Sequence, residues 1–426
     1  MIQNDVITSP WREAQNIAEH IALPEIPAKD CFIEIRPGED IRPVLQSAMD
    51  QCSANGGGRV IVPRGVYRCD GPLLLRSFTE LHFEDGAVIK FSPHPEHYLP
   101  QVFTRWEGVE IFNLSPAIYG KNLTDTAVTG NGTLVGGCEI FSSWVSLQKE
   151  AVERCRSFSV RGIPVEKRYF SEQDHLRPSM FQTVSCKRVL IEGITLMNTA
   201  FWMFHPLYCK DVTFRNVTCD SMYVNNDGID VDSCENVLIE NSFFRNGDDA
   251  VAIKSGRDHD GWRVGCPTKN VVIRNCHIFE ALHGVAIGSE LSGGADGIYI
   301  HDISMGTIYR QAIQFKSNRD RGGSIRNVKL RNISVECVQD NLIYFCSSYP
   351  GARGGNAPTE IRDFELENIK CNDAFNVFHF QGTPEFPLHN VNIRNVTVDS
   401  CETVYACRDF MGNTVLSEIN LPVEQD

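Results

Sequence analysis

The sequence predicts a single all-β domain, a right-handed parallel β-helix closed at its N-terminal end by a capping helix. Three observations carry that prediction. A frame Val-x-Φ-x-Asn (Φ apolar) recurs from about Val184 onward: Val212 to Asn216, Val237 to Asn241, Val271 to Asn275, Val328 to Asn332, Phe364 to Asn368 and Val391 to Asn395. Each copy alternates apolar and polar residues, the period of a strand, and then reaches Asn, which tolerates the left-handed backbone of a tight turn. No helical period separates the copies, which excludes a βαβ barrel. Repeats of this kind stack as a solenoid. An Asn at one offset further predicts an internal ladder of side-chain amides running from coil to coil.

The elements follow in chain order. Residues 31–60 read as the N-terminal cap and first coil. Ile41, Val44, Leu45, Ala48, Met49 and Cys52 fall at helical spacing, with Asp40 in the N-cap place and Gly56-Gly57-Gly58 ending the helix. A helix there would hide the open strand edge of the solenoid. Val60-Ile61-Val62, the turn Pro63-Arg64-Gly65 and Leu73-Leu74-Leu75 read as the first coils. Residues 141–178 are charged and lack the repeat, so they are expected to form a long excursion beside the cleft. Val189 to Gly193 opens the repeat with Gly in the Asn place. No composition shift divides the 426 residues, and residues 1–426 read as one domain.

Composition narrows the function. The chain is 42% hydrophobic and 22% charged, enough to bury a large core, and its formal net charge is −14. That sign argues against nucleic acid or an anionic membrane surface as the main partner. No apolar run reaches the ~18 residues of a membrane span. The start of the chain shows neither a basic n-region nor an apolar h-region, so a cytoplasmic location is expected. The 16 cysteines lack C-x-x-C spacing. Cys209, Cys219, Cys234, Cys276, Cys337 and Cys371 fall inside apolar strands and read as small buried hydrophobes.

Two short stretches carry the chemistry: Asn225-Asn226-Asp227-Gly228-Ile229-Asp230 and Asn246-Gly247-Asp248-Asp249. They bring Asp227, Asp248 and Asp249 to turns of adjacent repeats. Grouped carboxylates repel when ionised, so one keeps a proton while another stays charged. That division of labour is what breaking a glycosidic bond requires. The same residues leave other readings open: a calcium loop of Asp227, Asp230 and Asp232, or acids that merely cap turns.

The chain resembles the polygalacturonase family, family twenty-eight of the glycoside hydrolases. The resemblance covers most of the sequence. It includes Gly56 to Tyr67, Trp106-Glu107-Gly108-Val109-Glu110 and Phe201-Trp202-Met203-Phe204-His205-Pro206. Four signature blocks also match in order: Asn225-Asn226-Asp227, Asn246-Gly247-Asp248-Asp249, Leu282-His283-Gly284 and Gln314-Phe315-Lys316. The resemblance implies that Asp248 is the general acid, that Asp227 and Asp249 hold and activate the attacking water, and that His283 organises the acid and the sugar. It makes Asn225, Lys316, Gln314, Lys254 and Tyr349 substrate-binding candidates, with Tyr344 competing for the tyrosine role. Neither a cofactor nor a metal is implied.

Three positions depart from the family pattern. Gln314 stands where arginine is usual, Leu282 replaces the first Gly of Gly-His-Gly, and Asn226 replaces Thr. An amide cannot give a carboxylate the charged, forked grip of a guanidinium, so Gln314 bears on the substrate. Arg245, Lys254, Arg257, Arg263, Arg319 and Arg321 lie near the motifs and predict a locally positive cleft. The function expected is an inverting hydrolase of α-glycosidic bonds in galacturonate-containing pectic chains, with an acidic carbohydrate as partner and exo action as one form. A hydrolase of another pectic linkage such as rhamnogalacturonan, a calcium-dependent lyase and a non-catalytic glycan-binding β-helix are the rival readings.

Overall fold

The computed structural model describes residues 10–35 and 38–422. Its strands pair in parallel from coil to coil, as the repeat predicts. One turn of the solenoid shows the plan. Lys187–Glu192, Thr195–Met197 and Phe204–Leu207 lie on three successive faces, and each pairs in parallel with its counterpart in the next turn, Lys210–Arg215, Thr218–Ser221 and Ile229–Asp232. From Phe243–Lys254 onward most strands run on around the corners. This is a parallel β-helix.

The repeat stacks in register. Val212 faces Val237, Val237 faces Val271, Val328 faces Phe364 and Phe364 faces Val391. All of these side chains are fully buried in one continuous core. Between Val271 and Val328 lies a coil the frame does not reveal, Ala295–Ile308, where Ile298 and Asp302 take the places of Val and Asn. Its backbone is the same, for Asp302 has φ 57° and the repeat asparagines have φ between 51° and 56°.

The asparagine ladder differs from expectation in its place. The side chains of Asn332, Asn368 and Asn395 are exposed, and the ladder runs along the outside. Asn395 Nδ2 donates to Asn368 Oδ1 at 2.8 Å, Asn368 to Asn332 at 3.1 Å, and Asn332 to Asp302 at 2.7 Å. The turn that needs a left-handed residue sits at a coil corner, so its side chain points away from the core.

Helix α1 (Pro10–His20) was not foreseen; it lies on the outer face of the coils, with Ala14 against Leu238, Val272 and Tyr299. Helix α2 (Arg42–Ala54) occupies the cap and buries Leu45, Met49 and Cys52, while Val44 faces solvent. Asp40 stands one residue before the N-cap, Ile41, yet still accepts the Arg42 N–H at 3.0 Å.

Outside the coil, a hairpin of Val102–Trp106 and Val109–Asn113 forms an antiparallel pair. Helices α3 (Cys138–Leu147) and α4 (Lys149–Val160) follow within the charged excursion. Ala151 and Cys155 of α4 share a second, smaller core with Trp106, Ile111, Phe170, Phe201 and Trp202. Two buried ion pairs seat this assembly on the coils: Arg105 on Asp232 at 2.7 Å, and Arg168 on Asp260 of α5 (Asp258–Val264) at 2.9 Å. Among the described residues no helix is long and apolar enough to cross a membrane. Cys209, Cys219, Cys234, Cys276 and Cys371 are buried free thiols, while Cys337 is half-buried.

Candidate active site

The acidic motifs meet where strand Phe243–Lys254 rounds a corner. Its register against the next coil shifts between Asn246 and Asp249, and an extra residue of this kind re-aims side chains. Asp249 then lies beside His283 on the neighbouring strand. Gly247 permits the bend, because a Cβ there would lie 2.0 Å from the Tyr223 carbonyl oxygen. Asn226, the Thr replacement, is wholly buried and holds the turn before Asp227. Its Nδ2 donates to the Thr199 and Phe201 carbonyl oxygens, and its Oδ1 accepts the Tyr223 N–H.

A cavity of about 230 Å³ opens at this corner, and Asn225, Asp227, Asp248, Asp249, Lys254, Lys316 and Tyr349 all line it. His283 and Gln314 do not. They line a second cavity of about 500 Å³, with Leu282 and Tyr344, and Tyr349 and Pro350 belong to both walls. Between the two walls, oxygens of Asp248 and Asp249 and a ring nitrogen of His283 lie within 4.8 Å of one another.

Each carboxylate has a different environment. Asp249 is buried, and Lys316 Nζ reaches its two oxygens at 3.1 and 3.0 Å. Burial works to raise its pKa, but Lys316, His283 and Lys254 together hold it below the usual carboxylate range. Any cation entering between Asp249 and its neighbours would compete with that ammonium.

Asp248 is half-buried, and burial, followed by repulsion from Asp249, pushes its pKa up to about 6. It accepts the Asn225 Nδ2 at 3.5 Å. Arg177, which can only donate, takes Asn225 Oδ1 at 2.6 Å and so turns that amide nitrogen towards Asp248.

Asp227 and Asp230 are buried with little hydrogen bonding, and burial above all holds both pKa values well above the ordinary range. Lys254 Nζ lies among three acids, 3.5 Å from Asp227, 3.4 Å from Asp230 and 3.7 Å from Glu290. Its other side covers the Trp202 ring, 4.6 Å from the centroid. This lysine is therefore engaged by protein carboxylates at the point where it lines the cavity. Asp232 meets Arg105 and His205 instead. Protein cations thus occupy the acids of the calcium-loop alternative.

His283 is buried, and burial together with Lys316 depresses its pKa to about 4. Its Nδ1 accepts the Gln311 N–H at 3.5 Å, so in the neutral ring Nε2 carries the proton. Tyr349 covers Lys316, whose Nζ is 5.3 Å from the ring centroid. Of the two competing tyrosines, Tyr349 is thus the one that touches the acid cavity.

The basic cluster does not form an open positive cleft. Arg245 pairs with Glu280 and Asp220, Arg263 with Glu110 and Asp260, Arg319 with Glu385, and Arg321 with Asp258. Only Lys254 and Arg257 of that group line the cavity, and Glu290 contacts both.

Sequence reasoning missed Glu107, Arg156 and Glu290 as lining residues. Glu107 rides on the hairpin turn inside a stretch already singled out, and Arg156 Nη2 donates to it at 2.6 Å. Gly108 beside it has φ +82°, and a Cβ there would lie 2.7 Å from Arg257 Cβ. Arg156 comes from α4, where no repeat exists to reveal it.

The corner sets a carboxylate held ionised, Asp249, beside one of raised pKa, Asp248, in a confined polar cavity, the division of charge that acid–base hydrolysis requires. Residues 166–417 match the profile of the glycosyl hydrolases family 28, and the chain belongs to that family. It is a glycoside hydrolase. A hyperthermoactive exopolygalacturonase from Thermotoga maritima is 31% identical with a TM-score of 0.87, over 96% of both chains. A probable polygalacturonase from Vitis vinifera is 27% identical over 392 residues, 86% of this chain and 72% of that one. A family 28 exopolygalacturonase from Yersinia enterocolitica shares the fold at 20% identity and a TM-score of 0.68, over 92% of this chain and 79% of that one.

Proposed function

We propose that this enzyme hydrolyses α-glycosidic bonds in galacturonate-containing pectic chains by inversion, acting from a chain end. The observation that carries the reading is the divergence of ionisation along one cavity wall. Asp249 is held charged by Lys316 while Asp248 keeps a proton up to about pH 6. Asp248 is then the acid that protonates the leaving oxygen, and Asp249 is the base that takes a proton from the attacking water. Asp227, buried beside Asp230 and Lys254, holds that water by a hydrogen bond. His283 donates through Nε2 between the two cavities.

Chain-end action is supported by the shape of the site. The acid cavity is small and walled by Arg156 of α4, Glu107 of the hairpin and the Pro350-Gly351 turn. The Thermotoga and Yersinia relatives are both exopolygalacturonases. Product analysis on defined galacturonate oligomers, with and without chelator, tests the reading. New reducing ends, stepwise release of short products and indifference to chelator are expected. Unsaturated products would instead make the enzyme a lyase.

A further inference from the structure

The second cavity has a chemistry of its own, set by Asp340. A carboxylate can only accept, so every amide that touches it must present its nitrogen. Gln311 Nε2 donates to Asp340 Oδ2 at 2.6 Å, and Asn341 Nδ2 donates to Oδ1 at 2.6 Å. Asn376 Nδ2 approaches the same Oδ1 at 3.4 Å. With its nitrogen fixed on Asp340, Gln311 must turn its oxygen towards Gln314, whose Nε2 donates to it at 3.2 Å. That contact in turn orients Gln314 and leaves its Oε1 as a buried acceptor without a partner. Asn341 Oδ1 is a second such atom, and His379, whose ring is tilted 36° with its centroid 4.4 Å from that of Tyr344, adds a ring nitrogen, Nε2, that also lacks a partner. All three residues line the one cavity.

Unpartnered buried acceptors are costly and call for a donor. The hydroxyls of a sugar are donors, whereas a carboxylate is not. Arg310 is the one lysine or arginine among the described residues lining this cavity. It is largely exposed on the rim, and Asp340 Oδ2 lies 4.0 Å from it. Lys316 lies across Tyr349 and is engaged by Asp249. We propose that this cavity is a second sugar site selecting a neutral, hydroxyl-rich sugar over a uronate next to the galacturonate unit in the acid cavity. It rests on the hydrolase reading above and assigns specificity to Gln314 and Asn341, with Asp340 as the positioning residue.

The test compares kcat/KM on two disaccharides that share a galacturonate unit at the cleaved bond. They differ in the second sugar, which is either galacturonate or galactose, the same ring without its carboxylate. The expected wild-type ratio favours the galactose partner at least tenfold. Asn341→Leu and Gln314→Leu, near-isosteric changes that each delete an acceptor, should both bring the ratio towards one. Because Gln314 is the more deeply buried, its variant is first checked by thermal melting, and Asn341→Leu stands as the independent measurement. A wild-type ratio at or below one, or a tenfold ratio unchanged in the folded variants, overturns the inference and leaves the hydrolase reading intact. No cleavage of either disaccharide or of longer galacturonate oligomers overturns the hydrolase reading, and this inference with it.

Discussion

Asp248 and Asp249 are chain neighbours with the same side chain, and what separates them is which one Lys316 touches. The ammonium bonds to both oxygens of Asp249, while among the described residues Asp248 has only the Asn225 amide and the Asp249 N–H. In the proposed reaction Asp248→Asn removes the proton donor and keeps the shape. Turnover should fall by about 10²–10⁴-fold with KM changed little, because the acid acts in the transition state. Steady-state kinetics on a galacturonate oligomer checks this, and near-normal turnover would mean that another group supplies the proton. The pH profile follows from the same pair. Activity requires Asp248 protonated and Asp249 ionised, so kcat/KM should decline as pH rises through about 6 and, on the acid side, as Asp249 gains its proton. Lys316→Met removes the charge that depresses Asp249, so the acid limb should move to higher pH. An acid limb that stays in place in a folded Lys316→Met protein would exclude Asp249 as the base.

Among the elements, the strands were legible and the walls of the cavity were not. The Val-x-Φ-x-Asn frame works because each coil repeats one physical demand, an apolar side chain inward and a left-handed residue at the corner. It lost the Ala295–Ile308 coil because Ile298 and Asp302 meet that demand with other residues. The four motif blocks located the acids, but spacing alone could not separate Gln314 from the acid cavity or commit Lys254 to three carboxylates. Helices α1 and α4 fit no repeat, since each packs on the outside through contacts that no local period encodes. The hairpin bearing Glu107 offers a test at this scale. Its tip rests on Arg257 through Gly108, where a Cβ would lie 2.7 Å from Arg257 Cβ and 2.8 Å from Arg257 N. Gly108→Ala should lift the hairpin, at a cost of about 1–3 kcal/mol from overpacking with added strain from the positive φ. It should also raise KM more than it lowers kcat, because Glu107 and Arg156 wall the cavity without sitting among the acids. Thermal melting and kinetics read the two effects separately, and an unchanged KM would mean that this wall does not touch the substrate.

At the scale of the whole molecule, the solenoid gains stability from a long uninterrupted core and gives some back at the corner where the acids gather. Two sets of carboxylates pull in opposite directions with pH. Asp249, Glu290, Asp232, Glu240 and Asp125 are held below their ordinary pKa, Asp125 at about 2. Their stabilisation is present above the unfolded carboxylate range and is lost as pH falls towards the folded values. Asp227, Asp230 and Asp248 are held above it, Asp248 at about 6. For these the folded state binds the proton more tightly, so their contribution is complete at low pH and is lost as pH rises through that window. The two trends cross, and the melting temperature, read at a fixed scan rate as an operational measure, should peak in the mildly acidic range between about pH 4 and 6. Asp248→Asn cannot ionise at that position, so the decline on the alkaline side of the maximum should be shallower than in the wild type while the acid side is unchanged. Calorimetric melting of both proteins from pH 3 to 9 makes the comparison. A wild-type melting temperature that climbs steadily to pH 8 would mean that the folded state holds the protons of Asp227, Asp230 and Asp248 no more tightly than the unfolded chain does, against the raised pKa values at this corner.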